Sequence, residues 1–184
     1  MNAVETIILI ALALGIWYPL GSWAGRRVMR RKALTCIERG SLRIITPSSV
    51  LVEHKIPGYK YIGIYIEWLP FENPFNLAAK LAVRRSPIAV IKIQPEEPIP
   101  GEASITKNEI QGSAGELVGG YRAIYRGISK QRLKNIVEAL QRTGFDKLVI
   151  GSKPNITIIT RIRGQECINL LENSLKLVKE ISGE

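Results

Sequence analysis

The residues able to carry chemistry are few and scattered along the 184-residue chain. His54 is the single histidine and Asp146 the single aspartate. Neither a histidine cluster for zinc nor a multi-carboxylate magnesium site is expected from such a set. Glu96 and Glu97 are adjacent within "PEEPIP", but a hydrolytic pair needs rigid placement and unequal environments, and these two read as solvated. Cys36 and Cys167 have no metal-ligand spacing and form no disulfide framework, so they read as isolated side chains in a reducing compartment. "GELVGG" lacks the Lys-Ser/Thr pair that completes a phosphate loop, and no serine occupies a nucleophile-elbow motif. No catalytic residue, metal or cofactor is assigned. Catalysis would require carboxylates distant in sequence, Glu53, Glu67, Glu109 or Glu116, to converge in one pocket.

Binding chemistry is better represented. The formal charge of +10 implies an anionic partner, which can be lipid headgroups, nucleic acid or an acidic protein. In "YRAIYRGISKQRLKN" the cations Arg122, Arg126, Lys130, Arg132 and Lys134 interleave with Tyr121 and Tyr125. A nucleic-acid surface uses such a mixture, with cations on phosphates and rings on bases, but the charged outer face of an amphipathic helix reads the same way. Tyr59, Tyr61 and Tyr65 are expected on one face of a strand, where they would pack on a neighbour or receive a partner.

The densest cation cluster is Arg26, Arg27, Arg30, Arg31 and Lys32, and it follows an uncharged run from Thr6 to Gly25. About 20 residues at about 1.5 Å each match the roughly 30 Å hydrocarbon core of a bilayer. The run is apolar on every helical face, as lipid on all sides requires. Trp17, Tyr18 and Trp23 lie toward its basic end, where rings favour the headgroup level, and Pro19 there is expected to kink or end the regular span. Ser22 and Ala24 imitate a signal-peptide cleavage site, yet the leading "MNAVET" carries Glu5 and no cation, the reverse of a signal peptide. By the positive-inside rule, residues 1–5 are exported, 6–25 cross the membrane, 26–40 form a basic juxtamembrane connector, and 41–184 form a cytosolic domain. The sequon at Asn155 reads as a turn leading into a strand.

These features have to be positioned by the remaining elements. Strand-like runs flank Pro47 and the turn "KIPGY", and Ile62, Ile64, Ile66 and Trp68 alternate against Tyr61, Gly63, Tyr65 and Glu67. Asn73 and Pro74 open a helix to about residue 85. "SPIAVIKIQ" is a strand, "PEEPIPGEASITKNE" a mobile surface excursion, and "GELVGGYRAIYRG" a bulged strand or loop. Ser129 caps a helix with a Leu133, Ile136, Val137 and Leu140 stripe that Gly144 ends. "KLVIGS" and "NITIITRIR" pair as strands before a last helix with Ile168, Leu171, Leu175 and Val178 inward. With many hairpins and about three helices after the span, the fold class is α+β, with a faint ββα duplication. Glu supplies fifteen of sixteen acidic residues, a composition that leans toward a thermophile. The expected protein is a single-pass membrane protein with a cytosolic α+β interaction or assembly domain, lipid headgroups and an unidentified protein as its partners. A tethered nucleic-acid or ribosome-binding domain is the rival, and an anchored enzyme the third reading.

Overall fold

Alternating apolar residues dominate the chain beyond residue 40, and in the computed structural model they form one sheet. The structure describes residues 2–37, 40–83, 86–107, 115–151, 155–162 and 167–182, with the side chains of 32–37 and 167–168 outside that description. The elements are α1 (Ala3–Ile37), β1 (Gly40–Thr46), β2 (Ser49–His54), β3 (Tyr59–Glu67), α2 (Pro74–Ala82), β4 (Ile88–Pro95), β5 (Glu102–Lys107), β6 (Glu116–Val118), β7 (Tyr121–Arg126), α3 (Lys130–Thr143), β8 (Lys147–Ile150), β9 (Ile156–Arg161) and α4 (Cys167–Ser182). The nine strands form an antiparallel sheet in the order β1-β2-β3-β4-β9-β8-β5-β7-β6, and with the helices this is an α+β fold.

One face of the sheet is the core. Val52, Ile64, Ile91, Ile158, Leu148, Ile105 and Ala123 stand opposite one another across consecutive strands, and all are buried. The stripe of α3 (Leu133, Ile136, Val137, Leu140) covers part of this face, as its spacing requires. In α4 the buried set is Leu170, Leu171, Ser174, Leu177, Val178 and Ile181, while Leu175 is half-buried and the side chain of Ile168 lies outside the described residues. The tail of α1 completes the layer beside α4, β1 and β2, with Met29 buried among the core residues. The other face stays half-buried or exposed, the usual arrangement for an antiparallel sheet.

Several sequence-based expectations change. Helix α1 runs through Pro19 and the basic segment to Ile37, so the connector expected over 26–40 is mostly helix. Pro19 removes only the donor that would reach Gly15, and the helix regains its ladder beyond it. The expected mobile excursion contains β5, which lies between β8 and β7. Its proline-rich part is clamped: buried Asn155 accepts from Ile99 N at 2.7 Å and donates to Ile99 O at 3.2 Å and Gly151 O at 2.8 Å. "GELVGGYRAIYRG" is the β6-β7 hairpin, where Gly119 and Gly120 both adopt positive φ in a two-residue turn. The expected β8-β9 pairing is present. The two hairpin-helix units diverge in their helices, because α4 is packed into the core whereas α2 buries no residue.

Candidate membrane-facing surface

Helix α1 has two halves with different surroundings. Among residues 3–20 the side chains from Ile7 onward are exposed on every face, including Ile7 at 65% and Leu12 at 57%. From Gly21 the helix docks on the domain: Gly21, Ser22, Gly25 and Met29 are buried along one face at helical spacing. Two glycines four residues apart permit this. A Cβ on Gly21 would collide with the Phe71 carbonyl, and one on Gly25 would sit 2.6 Å from Pro47 O. Small residues at this spacing let backbones approach closely. The Trp17 indole donates to Phe71 O at 3.0 Å, fixing the junction, and the Ser48 hydroxyl bonds the Glu72 carboxylate to tie the β1-β2 turn to the same segment. This stretch, which resembles a cleavage site in sequence, is a docking surface in the fold.

The predicted interface residues surround that junction. Trp17, Tyr18 and Trp23 are exposed at 41%, 62% and 58%. Arg26, Arg27, Arg30 and Arg31 are exposed on the face of α1 turned away from the sheet, while the Lys32 side chain lies outside the described residues. The Arg27 guanidinium lies 5.3 Å from the centre of the Trp23 ring, a cation over a π face one helical turn away. By length and apolar composition this is one helix able to cross a membrane.

The second predicted surface is taken apart by the strand period. In β7, Tyr121, Ala123 and Tyr125 turn toward the core side and Arg122, Ile124 and Arg126 toward the open side. Tyr121 is buried and donates to Phe145 O at 2.9 Å. Its proton is held above the usual tyrosine range, chiefly by burial and then by the nearby Asp146 carboxylate. The Tyr125 hydroxyl donates to Glu116 at 2.9 Å, which with lesser help from burial raises its pKa too. Lys130 stands 3.8 Å from the same carboxylate. Arg132 caps the end of α4 by donating to Ile181 O at 3.1 Å, and Lys134 points to solvent. Rings and cations adjacent in sequence are therefore on different sides of a strand.

The tyrosines of β3 also divide. Tyr59 packs against the core across a register shift, whereas Tyr61 lies over Gly63 and bonds Glu53, so that burial and then the Glu53 charge raise its pKa. Tyr61 and Tyr65 share the open face, and Tyr65 lies in the row Arg43, Leu51, Tyr65, Val90, Ile159, Lys147, Thr106, Arg122 and Leu117. Cations on this face (Arg43, Lys92, Arg122, Arg126, Lys147, Arg161) outnumber Glu53, Glu67 and Glu102.

The candidate acids do not converge. Glu53 meets Tyr61, Glu67 pairs with Lys80 at 2.9 Å, Glu116 meets Tyr125 on the far edge, and Glu109 lies outside the described residues. His54 is buried at the end of β2 beside Gly40. Glu96 and Glu97 are exposed on a cleft of about 470 Å³ that Arg132 and Lys179 also line. No group of three potential metal ligands occurs among the described residues. Comparison with family models and with curated proteins finds no match.

The sequence reading missed Phe71 and Pro47 as the docking partners of α1, and missed the exposure of α2. The Gly21-Gly25 spacing was the available signal for the first. The second had none, because an apolar helical stripe reads the same whether it meets a core or lies open.

Proposed function

We propose that this chain is a single-pass membrane protein whose domain faces the cytosol and serves as an interaction or assembly module held against the bilayer. The observation that carries this reading is the division of α1. Its exposed apolar part, residues 7–20, would reach about 21 Å at 1.5 Å per residue, about two thirds of the roughly 30 Å hydrocarbon core. Its second part is built into the domain through Gly21, Gly25 and Met29. A helix that is also a structural part of the core supports a retained anchor over a removed signal. Cation asymmetry, with Arg26 to Lys32 after the span and Glu5 before it, supports the cytosolic orientation. Because the domain sits on a rigid continuation of the span, it has little freedom to swing away from the leaflet.

The partner surface we assign is the open face of the sheet, where apolar side chains such as Leu51, Val90 and Ile159 alternate with cations. This mixture suits an acidic protein surface. Two experiments test the reading. Protease added outside intact cells or spheroplasts is expected to leave the domain uncut while the extracted chain retains its first 25 residues by mass; cleavage of the domain, or a chain starting near Gly25, overturns the topology. Co-purification from detergent extracts is expected to yield a protein that Lys92→Glu and Arg122→Glu release. Nucleic acid bound instead, with affinity falling steeply with salt, would favour the rival reading.

A further inference from the structure

Helix α2 is well formed and poorly housed. Asn73 caps it and Pro74 occupies its first turn, yet it buries no residue. Phe75 is 71% exposed, Leu81 56% and Val83, the C-cap, 67%. Its side turned to the domain carries the half-buried Pro74, Leu77 and Lys80, and Lys80 reaches Glu67 at 2.9 Å. Water is a poor environment for such an outward apolar face.

Its place in the fold identifies what covers it. Phe71, which accepts from Trp17 and abuts Gly21, precedes Phe75 by four residues, a chain reach of at most about 14 Å. Trp17 is the first ring of the aromatic belt at the end of the apolar part of α1. The start of α2 is therefore tied to the point where the exposed apolar part of α1 ends. Arg84 and Arg85 follow α2 in sequence and supply cations for anionic headgroups.

We propose that α2 is a second membrane contact, a short amphipathic helix lying in the headgroup and acyl boundary of the cytosolic leaflet with Phe75, Leu81 and Val83 in lipid. This rests on the reading of α1 as a span and adds to it. One insertion point leaves a domain free to rotate about the helix axis, whereas two contacts fix which face of the domain looks along the membrane and which looks away.

The test uses the full chain with Cys36→Ser and Cys167→Ser, reconstituted in phosphatidylcholine and phosphatidylglycerol vesicles. An environment-sensitive fluorophore is attached through Leu12→Cys, Phe75→Cys or Pro98→Cys, and lipid-borne nitroxides act as quenchers. Blue-shifted emission is expected at both 12 and 75, lost to deep nitroxides at 12 and to nitroxides roughly 5 to 10 Å below the surface at 75, with 98 unaffected. Quenching at 12 with water-like emission at 75 overturns the α2 proposal and leaves the span intact. No quenching at 12 overturns the span itself. A blue shift at 75 that no nitroxide quenches means that protein covers α2, which also overturns the proposal. Phe75→Trp in the otherwise native chain repeats the measurement without cysteines: brominated lipid is expected to quench more emission than in the native protein, and unchanged quenching counts against lipid contact.

Discussion

Helices α2 and α3 are each preceded by a side chain that accepts from the first turn: Asn73 from Asn76 N at 3.0 Å, and Ser129 from Arg132 N at 3.3 Å. Both carry an apolar stripe. In α3 that stripe is fully buried on the sheet, and the left-handed Gly144 ends the helix so that β8 can enter the sheet. In α2 Phe75 and Leu81 are turned outward, and the helix holds on by the half-buried Pro74, Leu77 and Lys80 and by the Phe71 segment. Local sequence made both helices, and only their placement separated a core element from a surface one. The contrast teaches that local sequence makes an apolar helical face without saying what meets it: the sheet covers that of α3, and the bilayer is the cover we propose for α2.

The contrast can be broken or sharpened by substitution. The largest effect is expected from Leu140→Ala in α3, a fully buried site where truncation leaves a cavity, with a loss of about 2 to 5 kcal/mol by denaturant unfolding in detergent. A loss as small as at an exposed site would break the contrast. Next is Gly21→Ala, which forces Cβ against the Phe71 carbonyl and is expected to cost roughly 1 to 3 kcal/mol. It should also loosen α2, visible as faster amide exchange between Phe71 and Ala82 than in the native chain. Ser129→Ala removes the α3 cap and is expected to cost about 1 kcal/mol globally. Asn73→Ala should fray α2 while leaving the midpoint of global unfolding almost in place.

Tyr121, whose hydroxyl reaches Phe145 O just beyond α3, gives a pH signature. Its folded pKa lies above the ordinary tyrosine value of 10.0, so the unfolded chain sheds this proton first as pH rises. The stabilisation is complete below about pH 10 and drains as pH climbs toward the folded pKa. Tyr121→Phe is expected to cost about 1 kcal/mol at neutral pH through the lost hydrogen bond, and to flatten the decline above pH 10 in an unfolding series. The smallest effect is Leu81→Ala, within roughly 0.5 kcal/mol in detergent because its side chain contributes little to the core.

Legibility followed the range of the cause. The caps at Asn73 and Ser129, the αL glycine at 144, the β8-β9 pair and the length of the apolar run depend on residues a few positions apart, and each was readable. The β6-β7 hairpin carried a readable Gly-Gly signal that the glycine-rich context obscured. The order of nine strands, the clamp of Asn155 on Ile99 and the pocketing of Gly21 under Phe71 join residues fifty or more positions apart in the last two cases, and no local pattern encodes them.

By itself, then, the sequence determined an apolar helix of bilayer length, the charge asymmetry at its two ends and an α+β domain behind it, because composition and short-range periodicity set those features directly. The tertiary structure decided that the basic segment continues the helix with Gly25 and Met29 docked on the domain, that Tyr121 belongs to the core while Arg122 faces outward, and that α2 lies open after the Phe71 segment that meets α1. Those outcomes depend on which surfaces meet, and packing between distant segments is what selects them.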